Sequence, residues 1–308
     1  MKAAIVGMGP MGRRHAAAIS RVPELELTGV CDVRQEVLDA DGIPVDAWRG
    51  VEAKSMLGDV RPDLVIISTT APSHRELVEL ALASGVRAVL CEKPIACSLR
   101  DARAMIQAAE RAGVALAVNH SRRLVPAYAW LAGRIQSGEW GRLRGARTSC
   151  TGIGLGCLGT HLLDLMRYLS GEEFRAISGW VDPEIGVNPR GAQFHDPGGL
   201  VVAESAAGAR FVHHQMEDAS GPTSIVVDLS HARLVVEESE GRLDLTWRDP
   251  AVKAGPGRPP RFVKIEPPPQ AALKLDLIEM TARVLRELVN RSTLSCDGLH
   301  GYRSLEAV

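Results

Sequence analysis

The chain has 308 residues, enough for two domains with well-buried cores. Apolar residues make up 45% and charged residues 24% of it, proportions of an ordinary soluble globular protein. Lys and Arg number 36 against 37 Asp and Glu, so no net electrostatic field favours nucleic acid or a membrane as a partner. No apolar run reaches membrane-spanning length. The first predicted strand begins too early to leave room for a signal peptide.

The chain opens with the pattern of a nucleotide-binding loop. An apolar run, Ala3 to Val6, enters a loop with glycines at 7, 9 and 12, and the Ala-rich segment Arg13 to Ser20 suits a helix. Strand, G-x-G-x-x-G loop and helix in that order form the dinucleotide-binding fingerprint. Gly7 permits the tight turn, Gly9 lets the backbone approach a pyrophosphate, and Gly12 lets helix and strand pack closely. The helix N-terminus offers N–H groups and positive dipole to phosphates.

Asp32 strengthens this prediction. Asp32 is the last residue of a second apolar run, which begins at Leu25. It lies twenty residues after Gly12, at a distance along the chain where a carboxylate can accept hydrogen bonds from the adenosine ribose hydroxyls. The alternative is an ordinary cap for the helix predicted to follow. A carboxylate repels a 2′-phosphate, so NAD is favoured over NADP, although Arg34 leaves that choice open.

The next segments alternate between strand and helix patterns. We predict a helix after Asp32, a loop around Gly42, and a buried strand at Leu64 to Ile67. Ser73 to Glu76 has the pattern of a capping box that opens a helix ending at Gly85. This alternation is typical of a parallel sheet covered on both faces.

Two further strands complete that sheet. They are Ala88 to Cys91 and Val114 to Val118, separated by a helix capped at Ser98 that runs to Gly113. Ligands bind at the carboxyl ends of such strands. Four candidate residues fall there: Thr69, Thr70, Lys93 and Asn119.

The pattern changes near residue 121, so we predict a Rossmann domain over 1–120 and a second domain over 121–308. The second begins with a helix from Pro126 to Ser137 and a strand from Leu143 to Cys150. A glycine-alternating loop over 152–156 and a helix around His161 to Leu169 follow.

The remainder predicts an antiparallel sheet and a return to helix. Residues 174–248 read as consecutive strands separated by Gly and Pro turn signals. Residues 255–269 carry six of the 18 prolines and predict an extended connector. A stripe at helical spacing then predicts a core-facing helix, and the C-terminal helical region is a candidate to pack on the first domain. The stripe comprises Leu273, Leu277, Met280, Val284 and Leu288.

Cysteine and histidine placement predicts no metal site. The six cysteines show no C-x-x-C spacing, and several lie in apolar runs, as reduced buried thiols do. A cytosolic location follows as an expectation. His213 and His214 are adjacent on a predicted strand and therefore point to opposite faces.

Together these motifs resemble those of the Gfo/Idh/MocA family, which includes glucose–fructose oxidoreductase and inositol dehydrogenase. The residues that carry the resemblance are Gly7, Gly9, Gly12, Asp32, Pro72-Ser-His74, Glu92-Lys93-Pro94, Asn119 and Gly159-Thr-His161-x-x-Asp164. The resemblance implies an α/β chain with an N-terminal Rossmann domain and a C-terminal α+β domain with an open, mostly antiparallel sheet. It implies NAD(P)-dependent oxidation of a sugar or polyol hydroxyl, or the reverse reduction, and assembly into dimers or tetramers through that sheet.

The resemblance also implies roles for individual residues. Lys93 would lie beside the nicotinamide and the reacting oxygen, His161 would be its acid/base partner or a substrate hydrogen-bond donor, and the Lys93–Pro94 peptide would be cis. Lys93 also makes chemical sense by itself, because a partly desolvated amine can exchange the hydroxyl proton and stabilise alkoxide charge. The alternative for Lys93 is a solvated lysine in a turn before proline. The alternative for His161 is a core histidine whose hydrogen bonds are satisfied within the protein.

The candidate cofactor contacts follow the same motifs. They are Gly7, Met8, Gly9, Pro10, Met11, Gly12, Asp32, Val33, Arg34, Thr69, Thr70, Pro72, His74, Glu92, Lys93 and Asn119. The candidate substrate contacts are Lys93, His120, Arg123, Cys157 and His161. Arg123 has an equally plausible structural alternative, and Asp164 either orients His161 or bonds elsewhere.

One position departs from the inositol-dehydrogenase pattern. That pattern has an aspartate four residues before the histidine, where this chain has Cys157. A thiol is a weak hydrogen-bond partner and is mostly neutral at pH 7 when unperturbed. Two functions remain open: an NAD(P)-dependent oxidoreductase, with reduction of C=N or C=C bonds as a variant, and a cofactor-binding sensor or partner protein that has lost turnover.

Overall fold

A computed structural model describes residues 1–39, 42–152, 154–183, 188, 191, 193–248 and 262–308. The chain divides into two compact units. Unit 1 comprises Met1–Leu124 and Asp276–Glu306, and unit 2 comprises Val125–Leu275 and Ala307–Val308.

The strands and helices are numbered in chain order. The strands are β1 Lys2–Val6, β2 Glu26–Cys31, β3 Trp48–Gly50, β4 Leu64–Ile67, β5 Ala88–Cys91, β6 Ala115–Val118, β7 Leu143–Thr151, β8 Phe174–Val181, β9 Gly199–Ser205, β10 Arg210–Met216, β11 Ser224–Leu229, β12 Ala232–Glu237, β13 Arg242–Trp247 and β14 Val263–Ile265. The α-helices are α1 Pro10–Ile19, α2 Ala53–Val60, α3 His74–Ala83, α4 Leu99–Ala112, α5 Pro126–Gln136, α6 Thr160–Ser170, α7 Leu277–Asn290 and α8 Gly298–Leu305.

Unit 1 is a doubly wound parallel sheet with strand order β3-β2-β1-β4-β5-β6, the Rossmann order. Apart from the exposed Lys2, strands β1, β4, β5 and β6 consist of apolar residues, and nearly all of these are buried because helices cover both faces of the sheet. One core packs α1 and α7 on the sheet. The other packs α2, α3, α4 and α8 on the opposite face. The carboxyl ends of the strands therefore share one edge, which carries the candidate residues of this unit.

Unit 2 contains an eight-stranded sheet with the order β14-β13-β12-β11-β7-β10-β9-β8. All of its neighbouring pairs are antiparallel except β7 with β10. Alternate residues of β9, β10 and β11 are buried, so the sheet has one packed face and one open face. The predicted fold class, a Rossmann domain followed by a mostly antiparallel α+β domain, is confirmed.

Several local predictions were wrong. The helix predicted after Asp32 is a short 3₁₀ turn, Gln35–Val37, because few residues separate it from the Gly42 and Pro44 turn. Ser73 has helical φ and ψ, so it cannot cap α3, and its hydroxyl donates to Thr69 and Thr70 instead.

The glycine-rich loop also differs from its prediction. Residues Gly154–Gly159 form a single π-helical turn that runs directly into α6. Ile153 of that loop and residues 255–261 of the predicted connector lie outside the described residues. The sequence patterns missed β3 and α2.

The predicted apolar stripe is only partly buried. Met280, Val284 and Leu288 are buried residues of α7, whereas Leu277 is 40% exposed and Leu273 precedes the helix. Among the described residues, no helix combines the length and hydrophobicity needed to cross a membrane.

Candidate active site

The glycine loop joins β1 to α1 through close backbone packing. Gly7 has φ +96°, and its N–H donates to the Cys31 carbonyl at 2.7 Å. A Cβ at Gly12 would overlap the Gly7 carbonyl oxygen, so only glycine allows the first turn of α1 to lie on the loop. Gly9 is the N-cap, Pro10 is the first helical residue, and no side chain in the described part of the chain caps this N-terminus.

Asp32 fastens the end of β2 to that loop. One carboxylate oxygen accepts the Met8 N–H at 2.7 Å, and the other accepts the Arg34 N–H at 2.9 Å and Arg34 Nε at 3.3 Å. Burial by itself would raise the pKa of Asp32, but the hydrogen bonds from Arg34 and Met8 and the Arg34 charge lower it. The 3₁₀ turn that follows has no side-chain cap, which excludes Asp32 as its cap. Val33 is 86% exposed beside it.

His74 connects the loops that follow β4 and β5. Its Nδ1 lies 3.0 Å from the Pro94 carbonyl oxygen, and its Nε2 lies 3.2 Å from the Thr69 carbonyl oxygen. The ring is fully buried, and burial lowers its pKa. Both ring nitrogens thus face backbone carbonyls, which makes His74 a cross-link within unit 1 and leaves Thr70 and Pro72 as the exposed side of this loop.

Glu92 is the centre of a buried polar cluster at the end of β5. Its Oε1 lies 2.8 Å from His15 Nε2 and accepts Asn119 Nδ2 at 2.7 Å, and its Oε2 accepts the Lys93 N–H at 3.2 Å. Burial alone would raise the Glu92 pKa, but the hydrogen bond and charge of His15, the Lys93 charge and the Asn119 amide lower it to about 2. Lys93 follows as a half-buried residue whose peptide bond to Pro94 is cis.

His15 is a residue that the sequence analysis missed. It lies on the buried side of α1, three residues after the last glycine of the loop. A histidine among alanines on a sheet-facing helix was the available signal, because a buried polar side chain requires a partner.

His120 and Arg123 follow β6 in unit 1 and are both buried. The Arg123 guanidinium donates to the Ser295 carbonyl at 3.0 Å, which ties this loop to the segment between α7 and α8. That bond is the structural role weighed above for Arg123.

Cys157, His161 and Asp164 lie in unit 2. Cys157 is buried in the π-helical turn, and His161 is half-buried in the first turn of α6. Asp164 forms a buried ion pair with Arg167, with 3.3 Å between Oδ1 and Nη1, which is a structural bond.

Asp196 binds the backbone of the π-helical turn, and the sequence analysis did not identify it. Its Oδ1 accepts the Gly156 N–H at 2.6 Å, and the next residue, Pro197, accepts the Leu155 N–H at 2.9 Å. A Cβ at Gly154 would overlap Asp196. The alternating glycines of this segment therefore accommodate a neighbouring strand connection.

His213 lies beneath the start of α6. Its Nδ1 is 2.8 Å from the Thr148 hydroxyl, and its Nε2 would be 3.1 Å from a Cβ at Gly159. Burial lowers the pKa of His213 to about 4, assisted by the electrostatic interaction with His214 and opposed by the nearby polar side chain of Gln215. The glycine before Thr160 and His161 thus makes room for a buried, neutral imidazole.

We expect His213 to make stability depend on pH. The folded state resists protonation of His213 until about pH 4, whereas the unfolded chain binds that proton near pH 6.5, so stability falls as the pH drops between these values. The loss should approach about 3 kcal/mol, measured as the free energy of urea unfolding at pH 7.5 and pH 4.5. His213→Asn should flatten this dependence, and His214→Asn, on the exposed face of the same strand, should not. Equal slopes in both variants would contradict the assignment.

The fold and the loop define a dinucleotide-binding protein of the Rossmann class. Residues 1–120 match the family model described as "Oxidoreductase family, NAD-binding Rossmann fold". Over these residues the chain is similar to the Gfo/Idh/MocA oxidoreductases that this model describes.

Similar proteins include a D-apiose dehydrogenase of Paraburkholderia graminis, 38% identical over 191 residues, which are 56% of this chain and 51% of that protein. A scyllo-inositol 2-dehydrogenase (NAD(+)) of Bacillus subtilis is 30% identical over 58% of this chain and 56% of its own length. The matches thus span about half the length of these relatives. A solved levoglucosan dehydrogenase in complex with NADH has a TM-score of 0.83 at 20% identity, over 100% of this chain and 95% of its own, and shares the fold.

Proposed function

We propose that this protein is an NAD-dependent oxidoreductase that transfers a hydride between nicotinamide and a secondary alcohol or carbonyl of a sugar, polyol or related small molecule. The observation that carries the proposal is the placement of Lys93. It is half-buried beside the ionised Glu92 at the carboxyl edge of the parallel sheet, the edge that also carries the glycine loop. A group that can exchange a proton and a nucleotide loop on the same edge suit hydride transfer between a nicotinamide and a carbinol.

The residues of unit 1 fit a dinucleotide. Among the residues that the structure describes, no side chain caps the N-terminus of α1, and Arg34 Nη2 is the only non-neighbouring atom within 4 Å of a Cβ at Gly9. The backbone is therefore open to a pyrophosphate. Asp32 is an ionised acceptor for ribose hydroxyls, and Asn119 Oδ1 is buried with no hydrogen-bond partner among the described residues. We expect NAD to be preferred over NADP because the Asp32 carboxylate repels a 2′-phosphate.

The chain's own residues supply the proton transfer. When bound, the nicotinamide ring accepts the hydride of the carbinol C–H bond or delivers one to the carbonyl carbon. Lys93 takes the hydroxyl proton as the C=O bond forms, or returns it in reduction, and its ammonium stabilises alkoxide charge. His161, carried by unit 2, acts as a second acid/base or substrate hydrogen-bond donor, and His120, Arg123 and Cys157 are further substrate contacts.

The relatives support the substrate class. The two proteins matched by sequence are named as dehydrogenases of apiose and of scyllo-inositol, a sugar and a polyol. The sensor alternative rested on Cys157 alone, and these relatives give it no support. Cys157 replaces a carboxylate, so an oxidation of a polyol cannot be assisted by a carboxylate at this position. A reduction, which mainly needs a proton donor, depends less on it.

The proposal is tested by absorbance of reduced nicotinamide. Purified protein is mixed with NAD or NADP and a panel of aldoses, ketoses and inositols, and in parallel with NADH or NADPH and the matching carbonyl compounds. We expect turnover with NAD or NADH and weaker turnover with the phosphorylated cofactors. Failure to bind either reduced cofactor, measured by fluorescence, would contradict the proposal at its foundation.

We also propose a homodimer or homotetramer formed through the unit 2 sheet. The open face of this sheet carries Trp180, Leu200 and His214 in register on neighbouring strands, and Trp180 is 65% exposed. Large exposed apolar side chains on a sheet face are typical of a protein interface. Sedimentation equilibrium measures the mass, and a single-chain mass would contradict assembly.

We place the protein in the cytoplasm, because five of its six free cysteines are buried thiols.

A further inference from the structure

Three buried polar residues from separate elements of unit 1 converge beneath Lys93. His15 lies on α1, Glu92 follows β5 and Asn119 follows β6. Their exposed fractions are 0%, 4% and 3%. His15 and Asn119 both contact the same carboxylate oxygen, Glu92 Oε1, at 2.8 and 2.7 Å.

A contribution to stability does not by itself explain this cluster. Removing a carboxylate from water is costly, and replacing a buried ion pair by apolar residues of similar volume is often neutral or stabilising. Ala16, Ala18 and Ile19 show that α1 packs apolar side chains on this core. A polar residue at position 15 therefore serves the geometry of the carboxylate rather than the packing of the helix.

The remaining carboxylate oxygen points to the consequence of that geometry. Glu92 Oε2 accepts the backbone N–H of Lys93 at 3.2 Å, and the charge of Lys93 is one cause of the lowered Glu92 pKa. The carboxylate thus contacts the backbone of Lys93 and carries a negative charge close to its amine. Any change in the charge or orientation of Glu92 is transmitted to Lys93.

We propose that His15 is a positioning residue for Lys93: together with Asn119 it fixes the Glu92 carboxylate, which in turn holds the Lys93 backbone and provides a negative charge beside its amine. The Lys93 role in this inference rests on the proposed function. The tautomer follows from the contacts, because an ionised carboxylate accepts and His15 Nε2 must therefore carry the proton. His15 Nδ1 has no hydrogen-bond partner among the described residues, so Nε2 is its single anchor.

The ionisable groups that face Glu92 determine what the loss of His15 does. They are His15 from α1, His74 from α3, and Cys91 and Lys93 from its own strand and loop. Without His15 the buried carboxylate loses the hydrogen bond from Nε2 and the favourable electrostatic interaction with the imidazole. It therefore takes up a proton at higher pH than in the wild type, and the charge beside Lys93 disappears there.

The test compares His15→Phe, which removes the donor, with His15→Gln, which keeps an N–H donor of similar reach. We expect kcat of His15→Phe to fall about 10- to 100-fold, with a new decline of activity toward acidic pH, whereas His15→Gln stays within about threefold of the wild type. NADH affinity and the urea unfolding midpoint are measured beside kcat. A folded His15→Phe with wild-type kcat and pH profile would overturn the proposal.

A second readout does not require turnover. Trace labelling with acetic anhydride, followed by mass spectrometry, gives the reactivity of Lys93 relative to Lys54, an exposed lysine of α2 in the same unit. As the pH is lowered from about 8 to about 5, this ratio should come to differ at least about threefold between His15→Phe and the wild type, and not between His15→Gln and the wild type, because only in His15→Phe does Glu92 lose its charge. If the wild type turns over no substrate, the proposed function fails, while the labelling ratio still tests the network. An unchanged ratio in a folded variant overturns it.

Should His15→Phe not fold, Glu92→Gln takes its place. This substitution removes the negative charge at every pH while nearly preserving the shape of the side chain. We expect the same shift in the labelling ratio, now without pH dependence, and a kcat reduced at least about tenfold. Wild-type labelling in Glu92→Gln would overturn the proposal.

Discussion

Lys93→Ala should reduce kcat by a factor of about 10² to 10⁴, the usual contribution of a positioned acid/base group. The lysine is half-buried and directly follows the ionised Glu92 at the carboxyl edge of the sheet. Alanine removes the only group that we assign to the hydroxyl proton in unit 1. The affinity for NADH should change little if the principal role of Lys93 is in the chemical step, so kcat and the fluorescence Kd are measured on the same preparation.

Two controls sharpen this prediction. Lys54→Ala removes an exposed lysine from α2 and should leave kcat unchanged. Small primary amines added to Lys93→Ala should restore part of the rate, because they supply a proton-transfer group of the missing kind. A fully active Lys93→Ala enzyme would exclude Lys93 as the acid/base and leave His161 as the remaining candidate.

Gly12→Ala should both destabilise unit 1 and weaken NADH binding. The new Cβ would overlap the Gly7 carbonyl oxygen, a backbone atom whose own residue is held by the bond from Gly7 N to the Cys31 carbonyl. Relief of that overlap displaces α1 from the loop. We expect the free energy of unfolding to fall by about 1–3 kcal/mol, with at least about a tenfold loss of NADH affinity.

The matched control is Gly58→Ala in α2. Apart from its chain neighbours and the backbone of α2 itself, no heavy atom of the described residues lies within 4 Å of a Cβ at Gly58, so the substitution adds only helix propensity. Its expected effect is a gain of about 1 kcal/mol with unchanged NADH affinity. Urea unfolding and fluorescence titration of both variants separate the steric effect from the general effect of alanine in a helix. Equal stability of the two variants would contradict the close packing at Gly12.

Buried periodic segments were predictable because their chemistry is local. Leu64–Ile67 reads as a strand from its own apolar run, and Ser98 caps α4 as its pattern indicates, with its hydroxyl accepting the Asp101 N–H. The same local logic failed at Ser73. There the preceding 3₁₀ turn, Ala71–Ser73, had already placed the residue in helical geometry, which no capping pattern records.

The sequence by itself determined the order of most strands and helices, the glycine loop with Asp32, and the position of Lys93 after a buried strand, because backbone sterics and hydrophobic periodicity act between near neighbours. Only the tertiary structure decided which polar groups meet. His15 and Glu92 are separated by 77 positions and lie 2.8 Å apart, and Asp196 reaches Gly156 across 40 positions. A buried donor and its acceptor are paired by sheet order and helix packing, and spacing along the chain carries no record of either.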